Sequence, residues 1–351
     1  MGELSNRSTI HVRIRNFVDW IAPDPNKRGS IKQHRESVKK KVSAKAEDDG
    51  LIIHSMPKAG SFAKKTGLRR YKRGSAEQEG QDIDQPFVVE REDSDGNKVE
   101  GSKLLDRFDG YVAKAYPNTD RERTKRSIKL KFSSDIYFDI VPVLATNNDE
   151  KQAIIQSNGD EVVTSVQKHN SFTRDRTDKS NQVKGRVKFN ECVRLLKWWN
   201  SHHTSQSAVF SLTDNTKKEV PSFVINLLAA KAYDQRGVVE TYPETLFRWF
   251  GVLAHLVSKH KAIFFNDFTK SLKEKDLDDS VLWSVVDPVA KDNIVTKKWD
   301  NLEISELAGW LEQSRDEMAR AIRYDKDGEH AKSLDCLVEI FGNSFKNNCD
   351  K

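Results

Sequence analysis

Residues 82–90 read DIDQPFVVE, a short stretch that turns apolar and β-branched toward its end and so reads as a strand. Side chains alternate along a strand, so Asp82 and Asp84, at i and i+2, project from one face while Ile83 points into a core. Two carboxylates held that close repel unless one is protonated or a cation sits between them. Magnesium suits such a pair, because it is a hard ion that takes one or two carboxylates together with substrate phosphates. Taken alone, Asp-x-Asp is also the mark of a wet strand edge.

Further along, DIYFDIVPVL (135–144) reads as a buried strand that Asp139 interrupts. A charge there is costly without a partner. If this strand pairs beside 82–90, three carboxylates converge and can hold two metal ions. That arrangement stabilises both the attacking and the leaving oxygen in phosphoryl or nucleotidyl transfer. Asp139 is then placed to orient an attacking ribose hydroxyl and help deprotonate it. Asp135 competes for this role but ranks second, beside Ser133 and Ser134. Upstream, Gly60-Ser61 offers a backbone that can approach a phosphate, a following helical turn with N–H donors, and a hydroxyl. The same two residues also make a plain turn.

The rest of the chain frames these segments. Helices are expected at 8–21, 30–46 and 101–115, and strands at 51–56, 127–132 and 161–167, with Ser133-Ser134 as a hairpin turn. The polar stretch 169–185 reads as a junction. Beyond it the spacing predicts helices at 187–203, 220–235, 243–259, 302–323 and 328–345. The fold class is therefore α+β: a mixed-sheet lobe over residues 1–170, a helical lobe over 171–351, and a cleft between them.

At 351 residues the chain can bury a sizeable core, and its net charge of +6 favours polyanionic ligands such as nucleotides or nucleic acid. No apolar run approaches the roughly 18–20 residues a membrane span needs. The start lacks a signal-peptide layout, and Asn6 breaks the myristoylation pattern. Three scattered cysteines, Cys192, Cys336 and Cys349, make neither a disulfide framework nor a zinc knuckle, so a cytoplasmic location is expected. No Walker loop and no protease constellation is present.

In order, Gly60-Ser61, Asp82-Ile83-Asp84 and FDIVP (138–142) resemble nucleotidyltransferases of the DNA polymerase β type. RLLKWW (194–199), VPSFVINLLAAKAYDQRG (220–237) and VVDPVAKDN (285–293) are similar to segments of the 2′,5′-oligoadenylate synthetases and their relatives. That clan includes cyclic GMP-AMP synthase and the bacterial CD-NTases of anti-phage (CBASS) signalling, and the resemblance covers roughly residues 50–300.

The resemblance implies a bilobal polymerase β-like fold. It also implies an enzyme that joins NTPs, ATP among them, into a cyclic di- or trinucleotide second messenger with two Mg²⁺ ions, or Mn²⁺. It makes Asp82, Asp84 and Asp139 the metal triad, with Ser61 of the Gly60-Ser61 motif on the triphosphate. Lys197 and Ser222 become phosphate contacts, and Phe223 a platform for the base. Asp287 and Asn293 match a cleft segment without an assigned role.

Plainer readings stand beside these: Lys197 as an ordinary exposed lysine, and Phe223 as core with Leu227. The link 67–81 is longer than the family's and is either a lid bearing Arg69, Arg70, Lys72 and Arg73 or a solvated loop. The alternative product is a linear 2′,5′-oligoadenylate made under RNA activation, for which the basic run 119–131 would be the contact. A regulatory protein partner is also compatible with the resemblance.

Overall fold

The computed structural model describes residues 4–350 except 70, 74–75, 79–81, 135, 156–159, 184, 186, 211–219 and 269–271; of 71–73, 76–78 and 82 it describes the backbone. From the N-terminus come α1 (Thr9–Ile21), α2 (Arg28–Glu47), β1 (Ile53–Ser55) and the short α3 (Gly60–Lys64). A ribbon of β2 (Tyr71–Arg73) and β3 (Ala76–Gln78) precedes β4 (Asp82–Val89) and α4 (Gly101–Ala115). Then follow β5 (Asp120–Arg123), β6 (Ile128–Lys131), β7 (Tyr137–Ala145), β8 (Gln152–Ile155), β9 (Glu161–Thr164) and α5 (Val166–Asn181). The remainder is helical: α6 (Phe189–Thr204), α7 (Ser222–Arg236), α8 (Tyr242–Ser258), α9 (Asn301–Lys326), α10 (His330–Phe341) and α11 (Asn343–Lys346). No described helix is long and apolar enough to cross a membrane.

The chain forms two compact units, Pro23–Ser171 and Met1–Ala22 with Phe172–Lys351. In the first, the main sheet runs β1-β4-β7-β6-β5, with β8 added to β7 and β9 to β8. β4 and β7 are parallel, and the other pairs are antiparallel. Parallel neighbours need a long crossover, which α4, β5 and β6 supply. Ile83, Phe87 and Val89 of β4 share a parity with Phe138, Ile140 and Leu144 of β7 in packing, and together they meet Val38 and Val42 of α2 and Leu104 and Phe108 of α4. The opposite face carries a small apolar cluster of Val88, Val143 and Ala145. The hairpin expected at Ser133-Ser134 joins β6 to β7, closed by Phe132 N–H donating to Ile136 O at 3.0 Å.

In the second unit, α1 packs with α6, α8, α9 and α10. α1 falls outside the lobe expected over residues 1–170 and belongs with the helical unit, because its apolar stripe meets aromatic partners there. Phe17 lies against Trp198 at 5.3 Å and Phe345 at 4.8 Å. The helix expected over 328–345 is two helices, broken at Gly342 (φ +80°), where a Cβ would come within 2.7 Å of His202 Nδ1.

His11 on α1 is buried, stacked on Tyr242 at 5.2 Å, and its Nδ1 accepts from Tyr242 N–H at 3.3 Å. Burial, and then Arg15, hold its pKa below the ordinary 6.5. The unfolded chain therefore binds more protons than the folded one just below pH 6.5, so stability falls as pH drops through that range. Thermal midpoints at neutral pH and at about pH 5.5 should differ more for the wild type than for His11→Gln.

The expected junction at 169–185 is largely helix: α5 runs to Asn181. Its buried face, Phe172, Thr173, Arg176, Thr177 and Ser180, is mostly polar, which hides it from a hydropathy reading. Arg176 fills this face by pairing with two carboxylates, Asp234 at 2.6 Å and Asp267 at 2.9 Å, with its guanidinium 4.0 Å from the Phe172 ring centre. Removing it strands two acids, so Arg176→Met is expected to cost about 3 kcal/mol in a denaturant titration. Lysine should not rescue, since it cannot bridge both carboxylates as the planar fork does.

Candidate active site

The register of the parallel pair sets Asp84 opposite Asp139 and Asp82 opposite Tyr137. Adjacent strands stand about 4.8 Å apart, so carboxylates at facing positions crowd one small volume. Both residues are partly exposed, on the face away from the α2 and α4 core. The condition raised by the sequence, that these two strands be neighbours, is met. Asp82 follows at the i−2 position of β4; its side chain, like all of Asp135, lies outside the described residues.

The same rung continues across the sheet. Lys129 on β6 stands opposite Asp139, and Glu122 on β5 stands opposite Lys129. Ser127 Oγ donates to Asp139 Oδ1 at 3.4 Å. An ammonium flanking two carboxylates reduces their mutual repulsion. Sequence reasoning left Lys129 within the basic run. The alternation of buried Ile128 and Leu130 with Lys129 was the signal that separates it from its neighbours.

Gly60 explains the spacing of the first two motifs. It has φ +67°, and a Cβ built on it would overlap the Asp84 carboxylate, 2.6 Å from Cγ and closer still to Oδ2. A side chain of any kind is excluded, so the turn lies directly against the acid. Ser61 follows on α3, and its carbonyl accepts from the N–H of buried Thr66 at 2.9 Å. Behind β4, buried Gln85 donates to Pro57 O at 3.4 Å and accepts from Arg35 Nε at 2.8 Å. Both residues escaped the sequence reading. The available signal was parity, since Gln85 is a polar residue in register with Ile83 and Phe87.

Hard oxygen donors converging beside a glycine turn fit a divalent ion such as Mg²⁺ or Mn²⁺. Among the described side chains no group of three acidic, histidine or cysteine residues gathers for a metal, and Asp82 is not one of those side chains.

The remaining candidates belong to the helical unit. Lys197 is 8 % exposed on α6, which replaces the reading of it as an ordinary exposed lysine; Trp198 and Trp199 beside it are core. One turn on, Asn200 Nδ2 donates to Val220 O at 3.0 Å, tying α6 to the chain just before α7. Ser222 is exposed and Phe223 half-buried at the start of α7, whereas Val224 and Leu227 are fully buried. Phe223 is thus not packed as Leu227 is.

Asp287 and Asn293 close their own loop. Asp287 Oδ1 accepts from Val289 N–H at 2.8 Å, its Oδ2 accepts from Asn293 Nδ2 at 3.1 Å, and its N–H donates to Asn293 O at 3.0 Å. The long link folds back as the β2–β3 ribbon, pairing Tyr71 with Gln78 and Lys72 with Glu77; the Arg70, Lys72 and Arg73 side chains lie outside the described residues.

Comparison with known proteins agrees with this fold. A family profile described as Second Messenger Oligonucleotide or Dinucleotide Synthetase domain matches residues 9–180. A cyclic AMP-AMP-AMP synthase from Escherichia coli strain MS 115-1 is 25% identical over 312 residues, covering 87% of this chain and 88% of that protein. Among solved structures, E. coli MS115-1 CdnC in complex with HORMA-deltaN superposes with a TM-score of 0.73 at 24% identity, covering 97% of this chain and 99% of that one. Bradyrhizobium diazoefficiens CdnG in complex with GTP gives 0.71 at 15% identity, over 99% and 98% of the two chains. Residues 9–180 thus match a second messenger oligonucleotide or dinucleotide synthetase domain, and the chain has the polymerase β-like α+β fold of the CD-NTases to which it is similar.

Proposed function

We propose that this chain joins nucleoside triphosphates, ATP among them, into a cyclic oligonucleotide second messenger, releasing pyrophosphate with each bond formed. The observation that carries this reading is Asp84 facing Asp139 across a parallel register, with the Gly60 backbone pressed against Asp84. CD-NTases use divalent metals in catalysis. Asp82, Asp84 and Asp139 are the residues that would hold two such ions, which when bound supply charge stabilisation to the attacking and leaving oxygens.

The chain's own groups do the rest. Asp139 accepts the proton of the attacking ribose hydroxyl as that oxygen bonds to the α-phosphorus and the bond to pyrophosphate breaks. Ser61 donates its hydroxyl to the triphosphate. In the helical unit, Lys197 and Ser222 are the proposed phosphate contacts. Phe223, half-buried at the head of α7, offers the ring face on which a base stacks. The proposal extends to a regulatory protein partner, since CdnC has been solved with HORMA-deltaN, and to the anti-phage signalling that the resemblance implies.

The cyclic product is preferred to the linear one because cations on β5 and β6 are matched by acids. Arg121 pairs with Asp109 at 3.2 Å, Lys131 with Glu122 at 2.9 Å, and Arg123 with Asp106. The test is incubation of the pure protein with labelled NTPs and Mn²⁺, with and without duplex RNA, followed by phosphatase and mass spectrometry. A phosphatase-resistant cyclic product formed without RNA is expected. A phosphatase-sensitive ladder that needs RNA would overturn the cyclic reading.

A further inference from the structure

We infer that Arg35 and Gln85 are positioning residues of this active site, holding the turn that carries Gly60 and Ser61 against the strand that carries Asp84. The inference rests on the function proposed above. Gln85 is 0 % exposed and sits on the face of β4 opposite Asp84. Its Oε1 accepts from Arg35 Nε at 2.8 Å, while its Nε2 donates to Pro86 O at 2.9 Å and to Pro57 O at 3.4 Å.

Arg35 is 4 % exposed and lies in the buried stripe of α2 formed by Ile31, Val38 and Val42. A guanidinium in such a stripe is costly, and an aliphatic side chain would fill it without that cost. Its acceptor among the described residues is a neutral amide rather than a carboxylate. A stability role alone does not call for this pair.

Orientation does. A glutamine amide can turn either end toward a partner, but a guanidinium only donates. Arg35 therefore fixes Oε1 on its own side and turns Nε2 toward the Pro86 and Pro57 carbonyls. The Pro57 carbonyl lies three residues before Gly60, in a loop also held by Asn170 Nδ2 donating to Lys58 O at 2.6 Å. Because Gly60 already touches the Asp84 carboxylate, a small shift of this loop changes the contact directly. Arg35 and Gln85 touch no substrate. They act through the turn.

The test uses the full chain, with pyrophosphate release from Mn²⁺–ATP and the thermal midpoint read together. Gln85→Leu and Arg35→Met are each expected to lower the midpoint and to raise KM for ATP about tenfold. The double variant Arg35→Met/Gln85→Leu removes the buried guanidinium together with its acceptor, so its midpoint should recover in part toward the wild type while KM stays raised by about tenfold. A purely structural pair would recover both.

Gln85→Glu supplies an independent reading should the double variant fail to fold. It keeps the acceptor for Arg35 and loses the donor to Pro86 and Pro57, so KM should rise about fivefold or more in a folded protein. If KM of the folded double variant or of Gln85→Glu lies within about twofold of the wild type, the positioning role is wrong. Asp84→Asn runs alongside: if it keeps wild-type turnover, the functional reading fails instead.

Discussion

Asp139→Asn is expected to cut nucleotide joining by at least about a thousandfold while leaving the thermal midpoint at or above that of the wild type. The substitution is close to isosteric, and an amide oxygen can still accept from Ser127 Oγ, which lies 3.4 Å from Asp139 Oδ1. The charge that would hold an ion and the base that would take the ribose proton are both gone. Removing one of two facing carboxylates also relieves their repulsion, so activity and stability should move in opposite directions. Asp84→Asn should behave alike. Single-turnover pyrophosphate release and thermal unfolding on the same preparations check this. Parallel losses of both would indicate a folding role for the pair.

Gly60→Ala should be nearly as damaging from a position that bears no functional group. Its φ of +67° is left-handed, which costs an alanine about 1–2 kcal/mol. The larger effect is steric. The new methyl would overlap the Asp84 carboxylate, so the turn or the acid must move. Misplacement of a reacting group by about an ångström costs on the order of a hundredfold, and a loss of that size in kcat/KM is expected. Gly110 on α4 has open space around it, and Gly110→Ala should leave turnover unchanged and gain up to about 1 kcal/mol in helix propensity. The contrast between the two glycines separates a steric effect at the site from a general effect of adding a methyl group.

The sequence made the acids legible because each broke a local rule. Asp82 and Asp84 repeat at strand spacing, and Asp139 interrupts an apolar run. The register that sets residue 84 opposite 139 was not legible, because it depends on how a crossover of three elements closes, and no local pattern encodes that. α5 was missed because its buried face is held by hydrogen bonds and ion pairs in place of apolar side chains. The family resemblance placed Asp287 and Asn293 in a cleft segment. Their hydrogen bonds within one loop give them a structural task that spacing alone does not reveal. Gln85 and Arg35 are the instructive omission. Gln85 breaks the apolar parity of β4 on the face that reads as core, whereas Arg35 is one cation among many in α2, whose Lys- and Glu-rich sequence reads as a largely solvated helix.

The proposed mechanism requires Asp84 and Asp139 to hold a divalent ion together. A crystal of the protein grown with Mn²⁺ and a non-hydrolysable ATP analogue, measured at the manganese absorption edge, tests this directly. Anomalous peaks within about 2.3 Å of carboxylate oxygens of both Asp84 and Asp139, and contacting the triphosphate, are the predicted result. Manganese bound elsewhere, with the analogue seated away from these two carboxylates, would contradict it.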